Sequence, residues 1–375
     1  MRPLRINPVD CGFDDRIDTF IFQERQGLMI KPNFAFHVFY QTVRGRNQMK
    51  LIPLILFVLF FFCVFEWTWA EEKSDILYAV HQPLVEKSVL LDLAKTEDAN
   101  FIAVGERGHI IYSENDGKTW SQATVPTRST LTSVFFINNK RGWAVGHDAV
   151  ILTTFDGGKS WARQFFAPEK EQPFMDVWFH TPQYGIAIGA YGMYLDTNDG
   201  GDTWNEKYFE TLDDPDFGLP HFNAIAFTKE DVLYLAGEAG FLARSNNLGE
   251  SWAALDRPYN GSYFHLLITD NNIMLPSGLR GNIWRSNDQS ATWKKLETGN
   301  VASVNCGIQL SSGELFFVCM DGVSVICKKG GISCKVNLRA DRAALSSVAE
   351  LTPHHLIAVG EKGVLHIGLD GNDIK

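Results

Sequence analysis

The chain has 375 residues, with 34 Lys and Arg against 44 Asp and Glu, a formal net charge of −10. Residues 71–375 alone carry 26 basic and 38 acidic side chains, a net charge of −12. That balance excludes a nucleic-acid binder, because phosphate affinity rests on Lys and Arg, and an acidic surface is also repelled by anionic lipid.

Residues 1–48 show no repeat and no clear periodicity, and read as a non-native extension or a cytoplasmic tail. Residues 49–70 read as a signal peptide. Met49-Lys50 precedes fifteen uncharged, mostly apolar residues, and Ala70 sits at the boundary to a charged stretch. A basic start, a short apolar run and a small residue at a polar border describe a secretory signal. The run is short for a membrane span, which needs about 20 residues. The rival reading is an uncleaved anchor, with Arg44, Arg46 and Lys50 holding the upstream side in the cytoplasm. Either way residues 71–375 read as exported, to a periplasm or otherwise out of the cytoplasm.

From residue 105 onward the chain repeats. Asn115 and Trp120, Asp156 and Trp161, Asp199 and Trp204, Asn247 and Trp252, and Asp288 and Trp293 occupy equal positions in five short hairpin signatures. A sixth runs from Cys327 to Cys334. The last positions follow at intervals of 41, 43, 48, 41 and 41 residues. Eight residues before each signature lies Gly105, Gly146, Gly189, Gly237, Gly278 or Cys319, with a second small residue three further on. Gly360 and Gly363 repeat that pair near the C-terminus. Small apolar residues precede the first glycine, β-branched or aromatic ones follow the second, and another strand pattern stands in front. Each unit therefore reads as four strands, and seven such units make an all-β, seven-bladed β-propeller over residues 71–375. Only three strands remain for the last unit, so residues 76–80 are expected to complete it as its outer strand, removing an open edge.

The signature has its own logic. The Asp or Asn accepts hydrogen bonds from its own turn, the glycine two residues later supplies a positive φ, and the Trp buries apolar area between blades. These residues are read as structural. Cys327 and Cys334 hold the first and last positions of the sixth hairpin, where two strands face each other. They are candidates for a disulfide replacing the missing Trp, which an exported protein permits. Cys306 and Cys319 read as buried small hydrophobes. Spacings of 13, 8 and 7 contain no Cys-x-x-Cys pair, so no metal site is expected.

The signature resembles the Asp-box, or BNR, repeat. Combined with the Gly-x-x-Gly element it is most similar to the photosystem II assembly/stability factor family, over roughly residues 75–370. The resemblance implies a lumenal or periplasmic propeller with a membrane or envelope protein as partner, no cofactor, no catalytic residues and a monomer when alone. It also implies, in photosynthetic members, an arginine-rich patch gripping a reaction-centre protein; no such patch is placed in this sequence. Lys329 and Cys334 depart from the box pattern.

In a propeller the loops after the second and fourth strands open on one face. That register puts Arg107, His147, Asp148, Tyr191, Glu238, Arg280 and Lys362 there as candidate partner contacts. Long loops at 168–173, 213–221 and 257–263 share the face and favour a binding role. Two other functions compete: a glycan- or ligand-binding propeller, and a sialidase-like glycoside hydrolase. The second lacks its Arg-[Ile/Leu]-Pro motif; the only Arg-Pro after residue 70 is Arg257-Pro258. Glu106, Asp148, Glu238 and Glu361 offer carboxylates, but no spacing selects a pair.

Overall fold

The computed structural model describes residues 76–213, 218–331 and 333–374. The extension at 1–48 and the signal at 49–70 lie outside the described residues. The chain is all-β. Seven first strands form an inner ring: Leu90–Lys95, Leu131–Phe136, Phe174–Phe179, Phe222–Phe227, Tyr263–Ile268, Val304–Gln309 and Leu345–Thr352. Each packs beside the next, and the last returns to the first. From each, antiparallel strands step outward in sequence order.

The second strand of every sheet is buried along its length, as in Phe101–Gly105 and Leu315–Cys319, with only His355 at the start of the last one half-buried. It has a neighbour on both edges and both faces, hence its unbroken apolar run. The outermost strands are short, only Ser121–Gln122, Asn205–Glu206 and Ala253–Ala254 in blades one, three and four. Short outer strands limit edge-to-edge pairing with other chains.

Apolar clusters fill the gaps between sheets. Ile102, Val104 and Ile110 of blade one meet Leu131, Leu152 and Trp161 of blade two. Trp252 of blade four packs with Ile186 and Tyr194 of blade three. Trp143 stacks on Phe179 at 3.4 Å between ring centroids. In the first two cases the box Trp of one blade faces the blade before it.

Blade five departs from the others. Its ladder splits into Tyr263–Ile268 with Met274–Gly278, and Trp284–Arg285 with Lys294–Lys295. Pro276 accounts for the break. Met274 and Ser286 exchange both backbone hydrogen bonds, so the next donor toward the third strand would be residue 276, and proline has no N–H.

The expected count of seven four-stranded blades needs correction. Six repeats supply four strands each, and the last supplies three, Leu345–Thr352, His355–Gly360 and Gly363–Ile367. Residues 76–80 do not complete it. They form no strand, and they lie along the first blade: Ala79 N donates to Val125 O at 2.9 Å and Arg128 Nε to Tyr78 O at 2.9 Å. The last sheet instead borrows from its own tail. Gly368 N bonds Asn372 O, the chain reverses, and Ile374 N donates to His366 O at 2.9 Å.

The ring closes by packing rather than by strand exchange. Leu90, Phe101 and Ile111 of blade one pack on Ile357 and Val359 of the last sheet. His366 Nε2 lies 3.0 Å from Gly117 O, and His355 Nε2 lies 2.8 Å from His366 Nδ1. The turn at Gly363 repeats, across the seam, a contact made elsewhere in the ring. A Cβ on Gly363 would fall 1.9 Å from Glu86 O, as one on Gly108 would fall 2.3 Å from Thr127 O. Each of these turns thus sits on the connection entering the following blade.

Candidate partner-binding face and central channel

All seven candidate contacts lie in turns between the second and third strands, and all seven are exposed. In the first six blades the turns share one shape, two consecutive residues at positive φ: first Arg107 (φ 57°), Asp148 (58°), Tyr191 (53°), Ala239 (52°), Arg280 (56°) or Asp321 (57°), then the small residue that follows it. That conformation turns the side chain at this position outward. The turns stand on one face because each rests on a connection between blades.

The candidates are not all joined to one another. Tyr191 meets the His221 ring edge-on at 4.5 Å, and His221 Nε2 lies 3.9 Å from Glu238 Oε2, a trio bridging blades three and four. Arg107 pairs only loosely with its neighbour Glu106, at 3.8 Å. Asp148 accepts from Ser129 Oγ at 2.5 Å. Lys362 reaches Asp341 at 3.0 Å, and the buried Arg339 holds the same carboxylate at 3.0 Å. Arg339, then Lys362, keeps the Asp341 carboxyl well below the usual range. The side chains of His147 and Arg280 have no hydrogen-bond or ion-pair partner among the described residues. Of the acidic loop at 213–221, residues 214–217 lie outside the described residues.

The opposite face carries the box turns, and these satisfy themselves. In the third, Gly201 N donates to Thr197 Oγ1 at 2.9 Å and Thr203 N to Asp199 Oδ1 at 2.9 Å. In the first, Thr119 N donates to Asn115 Oδ1 at 3.0 Å and the Trp120 indole to Gly117 O at 2.9 Å. Asp156, Asn247 and Asp288 make the same contacts in their turns. These hydrogen bonds hold the Asp199 and Asp288 carboxyls down at about 2. Trp161 and Trp252 are buried, and Trp204 and Trp293 pack on the clusters of blades two to three and four to five. In the sixth hairpin Cys327 and Cys334 are cross-strand partners joined by a disulfide. It packs against Ile283 and Leu296 of blade five, the place a Trp takes elsewhere.

The central channel holds residues that the sequence reading passed over. Every first strand has a bulge near its start. The residue after each bulge is Asp92, Ser133, Asp176, Ala224, His265, Cys306 or Ser347, one per sheet. Asp92 Oδ2 accepts from Val134 N of the next blade at 2.9 Å, and Asp176 Oδ2 from Ile225 N of the next at 3.0 Å. Ser133 Oγ donates to Asp176 Oδ1 at 2.8 Å. His265 Nε2 lies 2.9 Å from Gly307 O. Burial raises the Asp176 carboxyl to about 6 against the lowering effect of these bonds, and pushes the His265 imidazole down to about 4. The bulged residues also reach forward: Thr132, Asn223 and Asn305 each donate to the first carbonyl of the following blade, at 2.7–2.8 Å. The channel is thus a belt of inter-blade hydrogen bonds. Its sequence signal was a polar residue two places into most first strands, with Ala224 the exception in blade four, visible once the repeats are aligned.

A family model described as photosynthesis system II assembly factor YCF48 matches residues 119–174 and 168–323. Photosystem II stability/assembly factor HCF136 of rice is 34% identical over 89 residues, 22% of this chain and 21% of the relative. Its Arabidopsis thaliana counterpart is 28% identical over 101 residues, 25% of each chain. These matches span about a fifth to a quarter of the relatives' length. Among solved structures, YCF48 bound to a D1 peptide superposes with a TM-score of 0.61 at 17% identity, covering 78% of this chain and 96% of that one. Virginiamycin B lyase from Staphylococcus aureus gives 0.64 at 10% identity, covering 78% and 97%. The two structures establish the propeller fold alone, since enzyme and assembly factor match it equally well. The family rests on the sequence match, which spans more than half of the chain: this protein belongs to the photosynthesis system II assembly factor YCF48 family.

Proposed function

We propose that this protein is an exported, non-enzymatic scaffold that binds a membrane-protein partner through the face carrying Arg107, His147, Tyr191, Glu238 and Arg280. The observation that carries the reading is the contrast in commitment between the two faces. On the box face the polar groups of each turn are engaged by that same turn. On the other face the exposed side chains, His147 and Arg280 above all, are left for another molecule. A face mixing Tyr, Arg and His with a polar rim suits protein contact. Family membership supports a protein client, and the YCF48 structure with a D1 peptide is a member holding a segment of another protein.

The non-enzymatic part of the reading is supported by the fate of the carboxylates. Asp92 and Asp176, the two acids of the channel belt, both accept backbone N–H bonds from the next blade. A general acid or base needs its oxygens turned to a substrate.

The test is capture of a detergent-solubilised envelope extract on immobilised protein, with the Arg107→Glu/Arg280→Glu double variant beside the parent. Both residues are exposed, so the fold is expected to survive while retention of the partner falls roughly tenfold. Full retention by the double variant, with loss only when box turns are changed in folded protein, would place the partner on the other face. Cell fractionation checks the export: a cytoplasmic location rejects it.

A further inference from the structure

We propose that the pocket between blades five and six, on the box face, is a binding subsite for a carboxylate group. It has a cavity of about 150 Å³. Blade five contributes Asn271 and Arg285; blade six contributes Gln309 and Lys329. No carboxylate among the described residues lines it.

Arg285, Lys329 and Gln309 together favour an acceptor-only ligand. The Arg285 Nε is buried and has no partner. Neither Arg285 nor Lys329 has an ion pair or side-chain hydrogen bond among the described residues. Gln309 takes Asp270 N on its Oε1 at 2.8 Å, which leaves its amide donors uncommitted. A guanidinium, an ammonium and an amide donor around one small space match the lone pairs of a carboxylate. Leaving the buried Arg285 Nε unpaired is costly.

The matching groove between blades three and four provides the control within the same molecule. Asp196 stands at the register position of Arg285, one residue before the box, and Asn247 at that of Lys329. There the acid has its own cation: Asp196 Oδ2 lies 3.3 Å from Lys207 Nζ. Blade six breaks the box pattern at Lys329, and that break completes the donor set. The Lys329 stem passes over Gly313, where a Cβ would lie 3.4 Å from its Cδ. Lys328 and Lys294 are also exposed near this edge and add positive potential.

The carboxylate can come from a small dicarboxylic acid or from an acidic side chain of a peptide. Both are tested at about 0.15 M salt, where loose surface attraction is screened. The ¹⁵N-labelled protein is titrated with succinate and, separately, with an acetylated and amidated hexaglutamate peptide. The readout is the Arg285 Nε–Hε NMR signal. A saturable shift is expected with at least one probe: with both if the group alone suffices, with the peptide only if the ligand is a protein segment. Arg285→Gln is expected to weaken binding tenfold or more, read on the remaining shifted signals. Lys329→Asn, which restores the residue type found in blade four, is expected to weaken it severalfold in a protein of unchanged fold. No saturable shift with either probe, or equal affinity in both variants, overturns the proposal. The subsite does not rest on the partner-face reading: the Arg107→Glu/Arg280→Glu variant keeps this binding whether or not it loses its partner.

Discussion

The third and sixth hairpins occupy the same place in their blades and are built on different chemistry. From Thr197 to Trp204 the turn is organised by an ionised Asp199 and anchored by an indole. From Cys327 to Cys334 there is no acid and no indole; a disulfide ties the strands and fills the gap to blade five. The two functions of the signature, ordering the turn and filling the inter-blade space, are therefore separable. A repeat can lose both consensus residues and keep its position if a covalent tie does the ordering and sulfur does the filling.

The largest effect should come from emptying the space in a standard blade. Trp161→Ala is expected to cost about 3–4 kcal/mol, measured by urea unfolding, because the indole is buried between blades one and two and the void cannot collapse fully. A cost below about 1 kcal/mol would mean that the Trp orders its turn without supporting the ring. Next comes Cys327→Ser/Cys334→Ser, expected to cost about 2 kcal/mol by closing a short loop no longer. Mass spectrometry of unreduced peptides from exported protein should show the pair linked; two free thiols there would remove the covalent half of the comparison.

Acid separates the two hairpins further. Asp199 and Asp288 have depressed pKa values of about 2. Their contribution is complete above the unfolded carboxylate range and is lost as pH falls from about 4 through 2. Hydrogen exchange on acidification should therefore open the third and fifth turns before the sixth, which has no acid to protonate. The channel supplies the opposite sign. Asp176, raised to about 6, favours the folded state below pH 4 and loses that contribution as pH rises through 6. His265, lowered to about 4, works against it over the same window, destabilising as pH falls from 6.5. The melting temperature of Asp176→Asn relative to the parent, followed from pH 4 to 7, isolates the carboxylate; the parent should lose ground steadily. A difference that does not change with pH would show Asp176 titrating normally.

The features legible in the sequence are those that recur. A turn that needs a positive φ at Gly201 and an acceptor at Asp199 returns every forty-odd residues, and repetition turns a weak local signal into a fold. The face of the candidate contacts followed from the same register. The closure did not, because strand propensity in residues 76–80 says nothing about which edge receives them. Their partner, Val125, was one blade away from the expected one. The tail that returns beside His366 hides its strand character in a polar turn, Asp370-Gly371-Asn372. Pro276 was a readable warning that blade five would split. The belt of Asp92, Asp176 and His265 escaped because polar residues within apolar strands look like interruptions until the first strands are aligned.

The seam has a consequence for how the chain is made. Lys95 bonds the carbonyl of Glu350, 255 residues later, and Gly117 waits for His366, 249 residues later. Synthesis delivers the first blade early and its missing neighbour last. Until then Leu90, Phe101 and Ile111 present a bare apolar flank, the kind of surface that aggregates or recruits chaperones. A chain cut short of the seventh sheet keeps that flank exposed, so every nascent molecule carries a visible mark of incompleteness until Ile357 and Val359 cover it.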